Sequence, residues 1–274
     1  MEWWQAIVLG VVEGVTEFLP VSSTGHLLLT QRLLGMPTTE ASNAYAVCIQ
    51  VGAIAAVIAI YRSRIAAMVK GVFGGDPDGR RLAVHVILGF LPAAVIGKLL
   101  NNPIERVLFG LWPVALAWLV GGVAILALSR GRAAPGAKGF GLNELTPQRA
   151  LIIGLAQCAA LWPGTSRSLA TIVGALLLGM EMTAAVEFSF LLGLVTLSAA
   201  AGYKGLKSGA AIRAAYGPTE LALGFAMAAA SALVAVRWML GWLQRRGLAV
   251  FGWYRIALAL VVVALLSAGL VRAV

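Results

Sequence analysis

The sequence predicts an all-α, polytopic integral membrane protein, and three observations carry that prediction. Of its 274 residues 60% are apolar and 12% charged, against about half and a quarter in a soluble domain. The mean hydropathy is +0.90. Its long apolar runs lack the period-2 alternation of strands and match the roughly 20 residues a helix needs to cross a ~30 Å hydrocarbon core. Composition therefore excludes a disordered chain and a disulfide scaffold. A net charge of +10 does not point to nucleic acid, because the basic residues fall mostly between apolar runs, where they orient a membrane protein.

The first element, residues 3–35, is apolar but interrupted at Pro20-Val21-Ser22-Ser23-Thr24-Gly25. Each half is too short to cross, so the pair reads as a re-entrant helical hairpin. Three spanning helices follow, near 44–61, 82–100 and 107–129, with a loop at 74–79. After a polar connection over 131–146, a second interrupted segment, 147–179, breaks at Pro163-Gly164-Thr165-Ser166-Arg167-Ser168. Spanning helices are then expected near 183–203, 219–240 and 253–271, with 204–218 as a loop. Met1-Glu2-Trp3-Trp4 lacks the basic start of a signal peptide, so no leader is expected to be removed. Cys48 and Cys158 lie inside apolar stretches and suit packing rather than a disulfide.

The two interrupted segments align at an offset of 144 residues. Ala6 meets Ala150, Gly10 meets Gly154, Glu13 meets Gln157, Ser22 meets Ser166, and Leu33-Leu34-Gly35-Met36 meets Leu177-Leu178-Gly179-Met180. The chain is thus one membrane domain, 1–274, of two repeats, 1–130 and 147–274. A hairpin that returns to its own side plus three crossings inverts the second repeat and brings the breaks together near the midplane. Twelve basic residues fall on one side: Arg62, Arg64, Lys70, Arg80, Arg81, Arg130, Arg132, Lys138, Arg149, Arg237, Arg245 and Arg246. Six fall on the other: Lys98, Arg106, Lys204, Lys207, Arg213 and Arg272. Arg255 reads as lying near a helix start on the richer side. The asymmetry puts the richer side in the cytoplasm and both termini outside.

Ionisable groups within membrane segments mark functional sites by default. Glu13 and Glu17 stand at i and i+4 on one face of a half-helix, where like charges call for a cation or a shared proton. Pairing with buried arginines is the structural alternative. Gly10 and Gly14 leave that face small. The break adds Ser22, Ser23 and Thr24, then His26, at the start of a second half-helix, whose free N–H groups and dipole favour an anion. Ser22 by itself would read as a helix cap. Thr165, Ser166, Arg167, Ser168 and Thr171 repeat the device. Arg167 offers a guanidinium fork for phosphate oxygens, or a counter-ion for Glu13 or Glu17. Donors and carboxylates on one anion imply a bridging divalent cation, Mg²⁺ or Ca²⁺, held by Glu13 and Glu17. A phosphate site at membrane depth implies a lipid phosphate. A lipid-phosphate transporter would need much the same anion site, but a hydroxyl beside a carboxylate pair and a histidine favours chemistry.

Glu13-Gly14-Val15-Thr16-Glu17-Phe18-Leu19-Pro20-Val21-Ser22-Ser23-Thr24-Gly25-His26 closely resembles the acidic motif of bacterial undecaprenyl-diphosphatases of the bacitracin-resistance type. Leu161-Trp162-Pro163-Gly164-Thr165-Ser166-Arg167-Ser168 resembles their arginine-bearing motif, and Thr171 its final threonine. Ile49-Gln50-Val51-Gly52, Glu187 to Leu192 and Tyr254-Arg255 also fit, while Leu169 stands where the family often has glycine. The resemblance implies hydrolysis of undecaprenyl diphosphate to the monophosphate carrier of peptidoglycan synthesis, and bacitracin resistance. It implies a divalent cation, a homodimer among the lipids of the bacterial inner membrane, and a site opening to the outer, periplasmic face. Glu17, Ser23, His26 and Arg167 would be the catalytic residues. Glu13, Ser22, Thr24, Ser166, Ser168 and Thr171 would bind substrate. Either Ser23 or a water activated by Glu17 or the metal would attack phosphorus.

Overall fold

The computed structural model describes residues 1–37, 39–129, 131 and 137–271; Arg130, Arg132 and Arg272 lie outside them. The first half comprises α1 (Trp3–Glu17), α2 (Ser23–Leu33), α3 (Glu40–Ile60), α4 (Arg62–Val72), α5 (Pro77–Leu108) and α6 (Leu111–Ser129). In the second, α7 (Pro147–Gln157) runs into a 3₁₀ turn, Cys158–Leu161, and is followed by α8 (Arg167–Leu177), α9 (Met182–Ala215), α10 (Pro218–Arg246) and α11 (Ala249–Ser267). Six helices, α3, α5, α6, α9, α10 and α11, are long and apolar enough to cross a membrane, and they overlap the six predicted spans.

Three boundaries correct the sequence reading. α5 starts at Pro77 because Asp76 caps it, its side chain accepting the Gly79 amide at 2.8 Å, and proline is favoured in a first turn. It continues to Leu108, so 107–108 belong to α5 and α6 begins at Leu111. The expected loop at 204–218 is helical to Ala215, since Ile212 and Tyr216 are buried on the Tyr45 cluster and packing outweighs Gly205 and Gly209. α4, a short polar helix, had no signal in apolar run length.

The repeat is visible in the backbone. α2 and α8 start and stop at positions 144 apart, and α1 matches α7 with its 3₁₀ extension. Ser22 (φ 73°) and Ser166 (φ 77°) are the only non-glycine residues with positive φ among the described residues, and they are repeat equivalents. A left-handed serine costs roughly 1–2 kcal/mol, so both breaks are held by their surroundings. The halves also pack reciprocally: α1 on α10 and α7 on α5, with α3 on α9 and α6 on α11. Backbones approach closely there. A Cβ on Gly10 would strike Gly224 and Met227 of α10, and one on Gly154 would strike Gly89 of α5.

A broken helix in a membrane leaves carbonyls that need donors. Leu19 O accepts from the Ser168 hydroxyl at 3.0 Å, and Val21 O from the Trp118 indole at 2.9 Å. Three more, from Pro20, Gly164 and Thr165, converge on Arg255, which is fully buried rather than among the orienting residues of the basic side. Its Nη1 donates to Pro20 O at 3.2 Å and Thr165 O at 3.1 Å, and Nη2 to Gly164 O at 2.9 Å and Ala117 O at 2.8 Å. Nε donates to Trp118 O at 3.3 Å. One side chain therefore ties both breaks to α6, against which Gly121 leaves room for the guanidinium.

Lysine keeps the charge but presents its donors from a single atom. Arg255→Lys should lower the thermal midpoint in detergent, and Arg255→Met should lower it further, the latter by an equivalent of about 3 kcal/mol or more. An unchanged midpoint in Arg255→Met would refute the clamp.

Candidate active site

The two breaks face a cavity of about 180 Å³. The first contributes Glu17, Ser22, Ser23 and Thr24, and the second Pro163, Gly164, Ser166 and Arg167. Gln50 of α3, Gln157 of α7 and Thr196 of α9 complete its polar lining. The first turns of α2 and α8, where backbone N–H groups have no partner within the helix, both open onto it.

At its centre the Ser23 hydroxyl donates to Glu17 Oε2. The other carboxylate oxygen of Glu17 pairs with Arg167 Nη2 at 3.3 Å, both side chains being at most 9% exposed. Arg167 Nη1 donates to Ser189 O at 2.8 Å, while its buried Nε has no acceptor. Phe18 lies beneath the guanidinium, 5.4 Å from its ring centre, and Gly193 behind it leaves no room for a Cβ. Ser23 and Arg167 are repeat equivalents, each the first residue of its half-helix.

The other predicted residues fall into two groups. Ser22 and Thr24 line the cavity, and Ser22 makes no capping bond with its side chain. Ser166 also lines it but does cap α8, accepting from the Leu169 amide at 3.3 Å. Ser168 and Thr171 are fully buried outside the lining. Ser168 bonds Leu19 O across to the first break, and Thr171 shares a 2.6 Å hydrogen bond with Ser189, whose carbonyl holds Arg167. His26 is not in the lining either. Its Nδ1 donates to Ser22 O at 2.7 Å, and in the neutral ring Nε2 accepts from the Tyr254 hydroxyl, also at 2.7 Å. Glu13, one turn behind Glu17, is fully buried, and neither carboxylate oxygen has a partner.

Gln50, Gln157 and Thr196 had not been assigned to the site by the sequence reading. Gln157 carried a signal as the repeat equivalent of Glu13: its amide donates to Gly89 O at 3.5 Å and accepts from Thr196 at 3.3 Å. Gln50 stood in a matching stretch but in the middle of an apolar run. Ser189 likewise stood in a matching stretch, whereas Thr196 had no local signal, since a hydroxyl inside a spanning helix commonly bonds its own backbone.

A family model described as bacitracin resistance protein BacA matches residues 6–261. Among curated relatives, the chain is 47% identical over 266 residues to the undecaprenyl-diphosphatase of Sorangium cellulosum, covering 96% of this chain and 86% of that one. It is 44% identical to undecaprenyl-diphosphatase 2 of Rhodospirillum rubrum, over 97% of this chain and 96% of the relative. With undecaprenyl-diphosphatase 1 of Chromobacterium violaceum it shares 42% identity over 98% of each. The chain belongs to the bacitracin resistance protein BacA family.

Proposed function

We propose that this chain hydrolyses undecaprenyl diphosphate to undecaprenyl phosphate and inorganic phosphate, the activity that its relatives' names state. The observation that carries the reading is the Ser23 hydroxyl donating to the Glu17 carboxylate beside Arg167, in a cavity opened by two helix N-termini. Transport needs the anion site but gives no reason for a hydroxyl aimed at a base. The relatives named as diphosphatases favour hydrolysis over a translocator.

Ser23 Oγ attacks the terminal phosphorus as Glu17 takes its proton. The bridging oxygen leaves with undecaprenyl phosphate, taking that proton from Glu17, and a phosphoserine remains. Water, losing a proton to Glu17, then attacks that phosphorus, and Ser23 departs with the proton returned. Arg167 exchanges its contact with Glu17 for phosphate oxygens, adding its free Nε donor, and the N–H groups of α2 and α8 bind the remaining oxygens. That exchange frees Glu17 as the base. His26 acts as a positioning residue: by holding the Ser22 carbonyl it keeps the left-handed turn that aims Ser23.

The donor set fits a divalent cation, Mg²⁺ or Ca²⁺. Glu17 faces the cavity, Glu13 has two buried oxygens without partners, and such ions take one or two carboxylates together with phosphate oxygens. When bound, the cation would neutralise diphosphate charge. Among the described residues there is no cluster of three His, Cys, Asp or Glu that would hold one alone. The inverted arrangement of the halves, the outward opening and the inner-membrane location belong to the same proposal, supported by the reciprocal packing and by the basic asymmetry. A homodimer among the membrane lipids belongs to the same proposal.

Phosphate release from a long-chain prenyl diphosphate by purified protein, with Mg²⁺ and with chelator, tests the reading. Release should require both the cation and Glu17. Ser23→Ala and Glu17→Gln should each lose about 10²–10⁴-fold in turnover, and quenched wild-type reactions should yield phosphoserine at Ser23. Substantial turnover by Ser23→Ala would return the attack to water. Arg167→Lys, which keeps charge without the fork, should lose about 10²–10³-fold in kcat; near-full turnover would refute the phosphate clamp. His26→Gln should cost about tenfold, less than the loss of an acid or base, and leave the shape of the pH–rate profile unchanged. A vanished inflection would instead assign His26 a proton transfer.

A further inference from the structure

A second cleft, of about 400 Å³, is formed near the C-terminal end of α10 by Arg237, Trp238, Gly241, Trp242, Arg245 and Arg246. It shares no residue with the cavity above. α10 has 29 residues, or roughly 43 Å at 1.5 Å per residue, against a ~30 Å hydrocarbon core. Its last turns therefore stand at headgroup level.

Four features of the cleft point to an anionic ligand with an apolar body. Arg237, Arg245 and Arg246 make no ion pair and no side-chain hydrogen bond among the described residues. The Trp242 indole N–H is buried without an acceptor. Trp238 and Trp242, with ring centres 5.4 Å apart, supply the amphipathic rings found at membrane interfaces. Gly241 is the fourth. Mid-helix glycine costs about 1 kcal/mol relative to alanine, yet no atom lies within 4 Å of the place its Cβ would take. Packing within the chain gives no reason for that glycine; its missing side chain keeps the cleft open.

We infer that this cleft binds the headgroup of an anionic bilayer phospholipid, its phosphate on the arginines and the indole N–H, and its glycerol and upper acyl chain on the tryptophans. Charge complementarity selects that occupant, because a basic pocket beside membrane helices attracts anionic headgroups. A zwitterionic lipid brings its own cation to three unpaired guanidiniums.

Delipidated full-length protein in detergent should be titrated with phosphatidylglycerol and with phosphatidylcholine, and bound lipid counted by native mass spectrometry. Wild type should retain one phosphatidylglycerol per chain, about tenfold more tightly than phosphatidylcholine. Gly241→Leu, which fills the cleft with a better helix former, and Arg245→Gln/Arg246→Gln should each reduce that preference to about twofold or less. Arg80→Gln/Arg81→Gln, a control on the same basic side, should leave it intact. Phosphatase turnover in Gly241→Leu reports that the variant is folded. Equal binding of the two lipids by wild type, or a preference that survives both cleft variants, overturns the proposal. So does full competition by inorganic phosphate, which would mark a site for a free anion. Loss of a dimer in the cleft variants with lipid binding unchanged would make this face a contact between copies of the chain, and would equally overturn it.

Discussion

Five carbonyl oxygens around one buried guanidinium set the terms for the rest of the molecule. Interrupting a helix at membrane depth exposes backbone acceptors that no water shell can satisfy, and an unmet group there costs several kcal/mol. Arg255 answers for Pro20, Gly164 and Thr165 together, and for Ala117 and Trp118 of α6. Arginine is suited to this because its donors fan out in a plane and it stays charged in surroundings that would neutralise lysine. The two breaks are thereby fixed to the same atom group. Their separation, and hence the width of the cavity between them, depends on α11, which contributes no side chain to the lining.

Much of the architecture was legible because a membrane forces it into the sequence. Six apolar runs gave six helices, and Pro20 and Pro163-Gly164 marked both breaks. Glu17, Ser23 and Arg167 were legible as a site because ionisable groups in such segments demand a reason, and the fold brings them together. What could not be read was direction. Arg255 and Arg167 are both arginines in apolar surroundings, and only the three-dimensional path shows one clasping backbone while the other faces a cavity. His26 and Thr171 were legible as polar residues near a break. The partner of His26, Tyr254, comes from a helix far along the chain and that of Thr171, Ser189, from the next helix, and no local pattern announces either pairing. The helical ends of α5 and α9 were hidden for a related reason: apolar run length records where a helix meets lipid, not where it stops.

The repeat explains how one backbone device serves two chemical tasks. Ser22 and Ser166 take the same left-handed turn, and each delivers the next residue to the start of a half-helix. In the first half that residue is Ser23, and in the second it is Arg167. A nucleophile candidate and a cation thus reach one cavity from equivalent positions, each at a helix N-terminus that favours negative charge. Glu13 and Gln157 diverge in the same manner. Of this pair only the amide of Gln157 lines the cavity, while Glu13 is buried one turn behind Glu17.

Rigidity is the common requirement behind these arrangements. Ser23 is held to Glu17, Glu17 to Arg167, Arg167 to the Ser189 carbonyl, and Ser189 to Thr171, so each group that would touch phosphate already has a fixed neighbour. The one contact in that chain that a phosphate would replace is between Arg167 and Glu17, whose geometry, at 3.3 Å, is the looser of the two that Arg167 makes. Ser189 keeps hold of the guanidinium while its other edge turns to the ligand. On the proposed reading a site built this way would need no large rearrangement to begin reaction: an arriving anion would take the arginine from the carboxylate, leaving the carboxylate facing the hydroxyl it already binds.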